Sequence, residues 1–581
     1  MSAYLPNQLS YQRNLKLIYI SIFSIIPISV ISIRSEAVVG YELSIYTDLN
    51  HIAIPLILVG IIVVSLICVF FNKHSNNLIL FGGTFLLLYI LFLFPILKGY
   101  YFIGYDDPMT HVGFTKDIIR NNGFSELLYP GIHVLTSSIY FITGIQSIPY
   151  LSMFITSIPL SLFIVFSSLI SSRLSERRYL PLYMIISISL VPSGYVLISG
   201  FVPRFVASLL LPMLLFTLAL NTGSRRELLV VLFSISIIIY HPQIGLYIST
   251  ALLFSFLLSS ITNLKFEKFS EYVSKLSPRS TSAIVICVFF WLYVQSQQRF
   301  ESQFAWLVSE VLIDTSVGTE AVTRSQSLSE LGSGLLDLGI RLFVSEIIFW
   351  TLSFCVLILC LIGTVRNKRN IVSLVTLSII PFVAVAFHGV AGHQLLRPYH
   401  VVGGIMTVIS CISVSEILKR VQKDWNVSLS NVIIVIAITM IILIAIFSLY
   451  PSPLIFQSSH HIPETQVSGY ETTFEYGIED KPVMEMRSDT WRYLDFIHGK
   501  HTSELPTHHQ SASMPASNFS DQGLSTHETT YLIVTKADII RDTELFDGIR
   551  YTDNDYQYLE SAGSINKIYE NNDYKLYQIY N

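Results

Sequence analysis

The sequence predicts a polytopic α-helical membrane protein with about 13 transmembrane helices and a small C-terminal α/β extracytoplasmic domain. Of its 581 residues, 52% are hydrophobic and 13% are charged, whereas soluble domains carry about 25% charged residues. Apolar runs of about 20 residues, the length of a membrane-crossing helix, recur over residues 1–450. The net charge of −4 gives no support for nucleic-acid binding, and all five cysteines lie in apolar runs.

Thirteen apolar runs are predicted to cross the membrane. They lie near residues 15–33, 51–71, 77–97, 147–170, 180–198, 205–220, 228–242, 244–262, 281–296, 342–363, 371–388, 400–417 and 430–449. The run over 133–145 is apolar but only about a dozen residues long, which is too short for a crossing. We therefore expect it to form an interfacial or re-entrant helix.

The distribution of basic residues predicts the orientation, because short cytoplasmic loops are rich in Lys and Arg. With these crossings, the basic loops fall on the same side as the N-terminus. Their residues are Arg13, Lys16, Lys73, Arg173, Arg177, Arg178, Arg225, Arg226, Lys265, Lys268, Lys275, Arg279, Arg366, Lys368, Arg369, Lys419, Arg420 and Lys423. The sequence thus predicts a multi-pass protein of the cell membrane with a cytoplasmic N-terminus and an extracytoplasmic C-terminal domain.

The predicted transmembrane domain, residues 1–450, carries two long outer segments and is followed by the outer tail, residues 451–581. Segment 98–133 contains two adjacent acids, and segment 297–341 is expected to form interfacial helices and a mobile flap. The tail is predicted to hold an amphipathic helix, a buried strand, a closing hairpin, a loose surface loop and exposed histidines. The helix is Thr490–His498, the strand is Tyr531–Thr535, and the hairpin joins Ile565–Tyr569 to Tyr574–Tyr580. The loose loop covers 498–527, and the exposed histidines are His460, His461, His508 and His509.

Asp106 and Asp107 follow the third apolar run by a few residues. Because ionised groups are costly inside a bilayer, the pair is expected at the water interface. A carboxylate there can act as a general base, or it can ligate a divalent cation such as Mg²⁺ or Mn²⁺. The alternative interpretation of the pair is a solvated turn at Asp107-Pro108.

The residues after the acid pair suggest a family. A short amphipathic helix ending near Asn121-Asn122-Gly123 is followed by Tyr129-Pro130. Together with the acid pair, this arrangement resembles the first outer loop of the GT-C superfamily, the integral-membrane glycosyltransferases that use polyprenyl-phosphate sugars. The ending, from Lys567 to Tyr577, looks like the closing hairpin of archaeal members.

The resemblance implies an inverting enzyme that moves a sugar from a polyprenyl-phosphate carrier to a glycan, lipid or protein acceptor on the outer face. Its expected catalytic residues are Asp106 and Asp107. Two departures are visible: the acid loop follows the third span rather than the first, and the tail lacks the Trp-Trp-Asp-Tyr-Gly motif of oligosaccharyltransferases. Transfer of a single sugar is therefore expected, rather than transfer of a whole oligosaccharide to asparagine.

Five further residues are candidates for binding the substrate and its phosphate: His111, Arg204, His241, Arg397 and His400. Arg397 is the strongest candidate, because a guanidinium binds two phosphate oxygens and stays charged at any working pH. The alternatives are an interfacial anchor for Arg204, a helix cap for His241 and snorkelling for Arg397.

A different class of function is a transporter or flippase for a polar lipid or solute. Such proteins are expected to carry ionisable residues and broken helices at mid-membrane, in two related halves. In this sequence the charges gather near the predicted outer edges, and no internal repeat is visible. A non-catalytic membrane scaffold is a third class, and it would not need acids and cations at the outer edge.

Overall fold

The computed structural model describes the backbone of residues 5–35, 37–46, 52–70, 78–121, 129–175, 179–190, 200–265, 273–296, 335–362, 368–391, 396–424, 427–476, 483–486, 490–501, 511–512, 519, 524, 530–548 and 550–580. Side chains are described over the same ranges except for 5–19, 69–70, 263–265, 335–343, 345, 361, 389–391, 396–397, 420–424, 427–435, 438 and 511–512. The predicted flap segment 297–341 lies almost wholly outside the described residues.

Helices, many of them long and apolar, dominate the part of the chain that precedes the tail. In chain order they are α1 (Leu5–Arg34), α2 (Ala53–Phe70), α3 (Leu78–Leu97), α4 (Asp107–Asn121), α5 (Pro130–Thr143), α6 (Ile148–Ser175), α7 (Leu180–Ser189), α8 (Pro203–Leu209), α9 (Leu211–Leu218), α10 (Ser224–Tyr240), α11 (Pro242–Lys265), α12 (Ser280–Gln295), α13 (Leu335–Leu361), α14 (Lys368–Ala391), α15 (Leu396–Asp424) and α16 (Val427–Phe447).

Every predicted crossing overlaps one of these helices or, for 205–220, the pair α8 and α9, and the second half of the crossing 180–198 lies outside the described residues. Within the described residues, five helices are long and apolar enough to cross a membrane. They are Leu78–Leu97, Ile148–Ser175, Pro242–Thr262, Lys368–His388 and Pro398–Lys419. The polytopic helical fold class is therefore confirmed, while the number of 13 crossings stays a prediction.

Helix α5 is the element expected to be interfacial or re-entrant. It has 14 residues, begins at Pro130 and ends at Gly144, whose φ of 71° is left-handed. At 1.5 Å of rise per residue it spans about 21 Å. This is shorter than the hydrocarbon core of a bilayer, which is about 30 Å thick. The helix is too short to cross.

The loops gather at two ends of the helix bundle. At one end, the Arg173 Nε donates to the carbonyl of Ala219 at 2.7 Å, and the Arg226 Nη2 donates to the carbonyl of Ser277 at 2.8 Å. The opposite end carries Asp106, and we call it the acid end. Of the predicted basic loops, those of Arg173 and Arg226 therefore lie at the end opposite to the acid pair within the described residues.

The tail contains a five-stranded sheet with helices around it. Strand β1 (Phe102–Ile103) precedes the tail, in the segment between α3 and α4. The elements of the tail are β2 (His461–Ile462), α17 (Glu464–Tyr476), β3 (Val483–Glu485), α18 (Thr490–His498), β4 (Ser511–Ala512), β5 (Thr530–Thr535), α19 (Lys536–Ile540), α20 (Asp553–Ser561), β6 (Ile565–Asn571) and β7 (Tyr574–Ile579). The sheet order is β4-β3-β5-β7-β6, with β3 parallel to β4 and β5, and with β7 antiparallel to β5 and β6.

Three of the predicted tail elements are confirmed: the amphipathic helix α18, the buried strand β5 and the hairpin of β6 and β7. Two tail predictions are partly wrong. His461 is buried, because its ring stacks on Tyr100 with centroids 3.8 Å apart. The stretch 498–527 lies largely outside the described residues, but Phe519 and Leu524 within it are buried in the core beside the sheet.

The tail packs directly on the acid end. β1 pairs antiparallel with β2, which joins Phe102 to Ile462 and Ile103 to His461. Helix α18 lies against α4 so closely that a Cβ on Gly113 would stand 2.4 Å from the carbonyl oxygen of Asp495. The close approach of these two helices therefore requires a residue without a side chain at position 113.

We expect Gly113→Ala to destabilise the protein by about 1–3 kcal/mol, because the added methyl group overpacks a backbone contact. The matched control is Gly82→Ala in α3, where an added Cβ meets no atom within 4 Å. Thermal unfolding in detergent measures both variants. A midpoint for Gly113→Ala equal to that of Gly82→Ala would contradict the observed approach of α4 and α18.

Candidate functional site

The acid pair stands at the start of α4. Asp106 has a φ of 62°, a left-handed conformation that few non-glycine residues adopt, and its side chain is exposed. Its carbonyl accepts the backbone N–H of Met109 at 3.0 Å. Asp107 is the first residue of α4, and its side chain is 54% exposed. The sharp turn thus presents two adjacent carboxylates at a helix N-terminus, where negative charge is favoured.

A buried pair of histidines lies one turn further along α4. The Nδ1 of His111 is 3.3 Å from the Nε2 of His133 on α5, and the Nδ1 of His133 is 3.4 Å from the Thr115 hydroxyl. That hydroxyl donates its proton to the His111 carbonyl at 3.0 Å, so its oxygen accepts from His133. His133 then carries its proton on Nδ1 and accepts from His111, which leaves the Nε2 of His111 as an acceptor.

Burial keeps this pair uncharged. The pKa of His111 is lowered to about 3, chiefly by burial and further by the charges of His241, Arg492 and Arg204. The pKa of His133 also lies well below its ordinary value, again because of burial and then because of His111. At neutral pH both rings are neutral and serve as hydrogen-bonding groups.

His241 joins the same cluster from the break between α10 and α11. Its ring stacks on Tyr129 with centroids 4.8 Å apart and an interplanar angle of 10°. Its Nδ1 accepts the backbone N–H of Ile244 at 3.4 Å. The geometry therefore fits both interpretations of His241, as a helix cap and as a binding residue. Its Nδ1 caps α11, and its ring faces Tyr129, which directly precedes α5.

Arg204 and His400 are brought together across the bundle. Arg204 begins α8 beside Phe205, whose ring centroid is 5.0 Å from its Cζ. The Phe205 ring in turn packs edge-on against His400 at 5.1 Å. His400 is buried, and neither of its ring nitrogens has a hydrogen-bond partner among the described residues. Buried polar atoms rarely lack a hydrogen-bond partner, which suggests that a ligand supplies one to His400.

An apolar groove begins directly below these two residues. It runs between α9, α11, α14 and α15, and no polar side chain contributes to its lining. The lining residues are Leu211, Leu214, Leu215, Leu218, Ile248, Ala251, Leu252, Leu377, Pro381, Val401 and Ile405. Leu211 follows Arg204 by two helical turns and Val401 follows His400 directly. Polar groups at the acid end therefore stand next to a narrow apolar groove with a free volume of about 20 Å³.

Four of the predicted binding residues, His111, Arg204, His241 and His400, thus converge from segments far apart in the sequence. The fifth, Arg397, belongs to the first turn of α15, but its side chain lies outside the described residues. Its role remains a prediction.

The sequence interpretation missed two residues. In the sequence, His133 marks the edge of the apolar run 133–145, and a histidine in the first turn of such a short helix is a signal for a polar contact. Arg492 lies in the tail, and its Nη2 is 3.1 Å from the Asp107 carboxylate. No spacing rule links positions 107 and 492, so only the packing of α18 on α4 reveals the contact.

No group of three or more His, Cys, Asp or Glu side chains suited to a metal ion occurs among the described residues. Two adjacent carboxylates are nevertheless sufficient for a cation that keeps several waters and also binds substrate phosphate, as Mg²⁺ does. Asp106 and Asp107 fit a cation of that kind. They do not form a closed structural metal site.

No family model matches this sequence, and no curated protein matches it. Several solved structures are similar to the chain. ArnT from Cupriavidus metallidurans bound to undecaprenyl phosphate is 9% identical, with 86% of this chain and 97% of that chain covered and a TM-score of 0.47. An oligosaccharyltransferase from Archaeoglobus fulgidus in complex with zinc and sulfate is 14% identical, with coverages of 86% and 70% and a TM-score of 0.45.

The archaeal oligosaccharyltransferase AglB from the same organism, in complex with an inhibitory peptide and a dolichol-phosphate, is 11% identical. The match covers 76% of this chain and 62% of that chain, with a TM-score of 0.44.

The histidine pair predicts acid sensitivity. Because the folded state depresses the pKa of His111 to about 3 from an ordinary 6.5, the neutral pair contributes its full stability above pH 6.5. That contribution is lost progressively as the pH falls from about 6.5 towards 3. We expect the thermal midpoint to fall over this range, and to fall less steeply in His111→Gln and in His133→Gln. The exposed His501→Asn is the control, and an unchanged slope in both pair variants would refute the assignment.

Proposed function

We propose that the chain is a membrane glycosyltransferase that moves a sugar from a polyprenyl-phosphate carrier to an acceptor molecule at the acid end. The observation that carries this proposal is the position of Arg204 and His400. They stand beside His111, His133 and His241, and an apolar groove begins next to them. A lipid phosphate has the matching form, with a charged head and a long apolar chain. The acid pair at the same end supplies a proton acceptor.

The polar groups suit the phosphate head. Arg204 is a permanent cation at the mouth of the groove, and a guanidinium binds phosphate oxygens in a fork geometry. His400 would donate to a phosphate or sugar oxygen, which satisfies a nitrogen that otherwise has no partner among the described residues. Arg397 would add a second guanidinium from the first turn of the same helix, α15.

The apolar character of the groove suits the carrier chain. Its walls are aliphatic side chains and Pro381, which are as apolar as the lipid tails that the chain would leave. The groove thus favours a polyprenyl chain over a short, water-soluble donor.

The reaction needs one proton acceptor and one leaving group. The hydroxyl oxygen of the acceptor molecule attacks the anomeric carbon, and the bond from that carbon to the phosphate oxygen breaks. The electron pair leaves with the carrier phosphate, next to Arg204. The hydroxyl proton passes to a carboxylate of the acid pair, Asp106 or Asp107. Direct attack inverts the anomeric configuration.

Asp106 and Asp107 would also hold a divalent cation such as Mg²⁺ or Mn²⁺. A bound cation supplies positive charge for the phosphate oxygens. The Nε2 of His111, left as an acceptor by its bond to His133, would orient a sugar hydroxyl without taking its proton, because its pKa of about 3 makes it a weak base.

The activity test uses purified protein in proteoliposomes with a polyprenyl-phosphate-linked sugar that accumulates when the gene is deleted. We expect at least one of Asp106→Asn and Asp107→Asn to lose transfer by about 100-fold or more, the scale for removal of a general base. Their folding should be unchanged, because both side chains are exposed and an amide keeps their shape.

The matched control is Asp553→Asn. Asp553 is also an exposed first residue of a helix, α20, but it lies on the tail surface. Wild-type transfer in both single variants and in the double variant would refute the catalytic role. Movement of the carrier across the bilayer without any transfer of sugar would instead favour a flippase.

We further propose that the acid end faces the outside of the cell. The support is the segregation of the basic loops to the opposite end of the bundle. A cysteine at the exposed Ser468 on α17 should react with a membrane-impermeant thiol reagent in intact cells, and one at the exposed Ser224 on α10 should not. Labelling above the background of the native cysteines is the measurement. The reversed pattern would place the acid pair in the cytoplasm.

A further inference from the structure

Arg492 on tail helix α18 reaches the start of α4 with both ends of its guanidinium. Its Nη2 is 3.1 Å from the Oδ1 of Asp107, and its Nη1 donates to the Thr110 hydroxyl at 2.9 Å. The arginine side chain is 18% exposed and the aspartate side chain 54%. A largely buried cation therefore holds a carboxylate that is open to solvent.

The guanidinium is itself fixed by its surroundings. The Thr110 hydroxyl donates to the Oδ2 of Asp495 at 2.8 Å, and the Lys500 ammonium lies 3.3 Å from the same oxygen. The Arg492 Cζ stands 3.8 Å from the centroid of the Trp491 ring. With its plane stacked and two of its nitrogens engaged, the arginine has little rotational freedom. It can therefore impose a position on Asp107.

Asp107 and Thr110 are three residues apart and lie on one face of the first turn of α4. A planar fork that bridges them ties the carboxylate to the helix geometry. An ammonium has no such fork, so a lysine at position 492 cannot hold both groups in the same way.

We propose that Arg492 is a positioning residue for the transfer reaction, in which it anchors Asp107 to the start of α4 and thereby sets the position of the acid pair. This inference rests on the proposed function. Asp106 precedes the helix, in the left-handed turn with a φ of 62°, and its side chain is exposed. The carboxylate of Asp107 faces a fixed cation of the tail.

Loss of Arg492 removes the counter-charge of Asp107 and lets two adjacent carboxylates repel each other. The turn at Asp106 and the first turn of α4 then shift, and a displacement of about 1 Å at a reacting group costs about 100-fold in rate. The effect falls on kcat. The KM for the lipid donor is set elsewhere, by Arg204, His400 and the groove.

The kinetic test is a double-variant cycle in proteoliposomes. Arg492→Gln and Asp107→Asn should each lower kcat by about 10- to 100-fold with the donor KM within about twofold. The double variant should be no slower than the slower single variant, because both changes break the same contact. Arg492→Lys should restore only part of kcat. In the Asp106→Asn background, Arg492→Gln should lower kcat by less than it does in wild type, because one of the groups that it positions is already gone.

The matched control is Arg550→Gln, an arginine on the tail surface that stacks on Tyr551 and should keep wild-type kcat. Multiplicative losses in the double variant would overturn the inference, since Asp107 would then act independently of Arg492. Wild-type kcat in Arg492→Gln would overturn it as well.

A second measurement separates this inference from the proposed function. Hydrogen exchange in detergent should be faster at the amides of residues 107–113 in Arg492→Gln than in wild type, and unchanged in Arg550→Gln. This readout needs no sugar transfer. If the wild-type protein transfers no sugar, the proposed function fails. If exchange at 107–113 is the same in Arg492→Gln as in wild type, Arg492 does not position the acid pair.

Discussion

A buried ion pair between Glu42 and Lys98 fixes the place of the acid pair. The Lys98 ammonium is 2.6 and 2.7 Å from the two Glu42 oxygens and donates to the Ile45 carbonyl at 3.1 Å. The two side chains are only 5% and 0% exposed, and loss of one partner from such a pair costs about 3–5 kcal/mol. Because Lys98 directly follows α3, the ion pair sets the direction in which the chain leaves the bundle towards Asp106.

The tail also holds the acid pair in place, because it packs directly on the segment that follows α3. The Tyr100 ring lies on His461 beside the ion pair, β1 pairs with β2, and α4 packs on α18. The contact of α4 with α18 is also a capping arrangement. Lys116 donates to the carbonyl of Ile497, and Asp117 accepts two backbone N–H groups just beyond α18. The helix that carries the acid pair therefore depends on the tail for its position.

The chemistry of the acid end follows from which groups are buried and which are open. The neutral pair of His111 and His133 places hydrogen-bonding nitrogens at the buried side of the acid end without adding charge. Both rings stay neutral because burial disfavours the charged form and lowers the pKa of each. Arg204 supplies a permanent cation near an apolar groove, and the carboxylates of Asp106 and Asp107 remain exposed. This distribution suits an amphipathic lipid phosphate on one side and a water-borne or membrane-bound acceptor on the other.

The sequence by itself determined the helical class, the places of the helices and the separation of basic loops from the acid pair, because these depend on hydrophobic run length and local charge. It also indicated α18, β5 and the closing hairpin, whose signals lie within a few residues. The burial of His461 and the roles of His133 and Arg492 were decided by tertiary structure alone. Each depends on a contact between residues tens to hundreds of positions apart, such as Arg492 with Asp107. Hydrophobic periodicity carries no information about such pairs, since their distance is set by how helices and strands pack against one another.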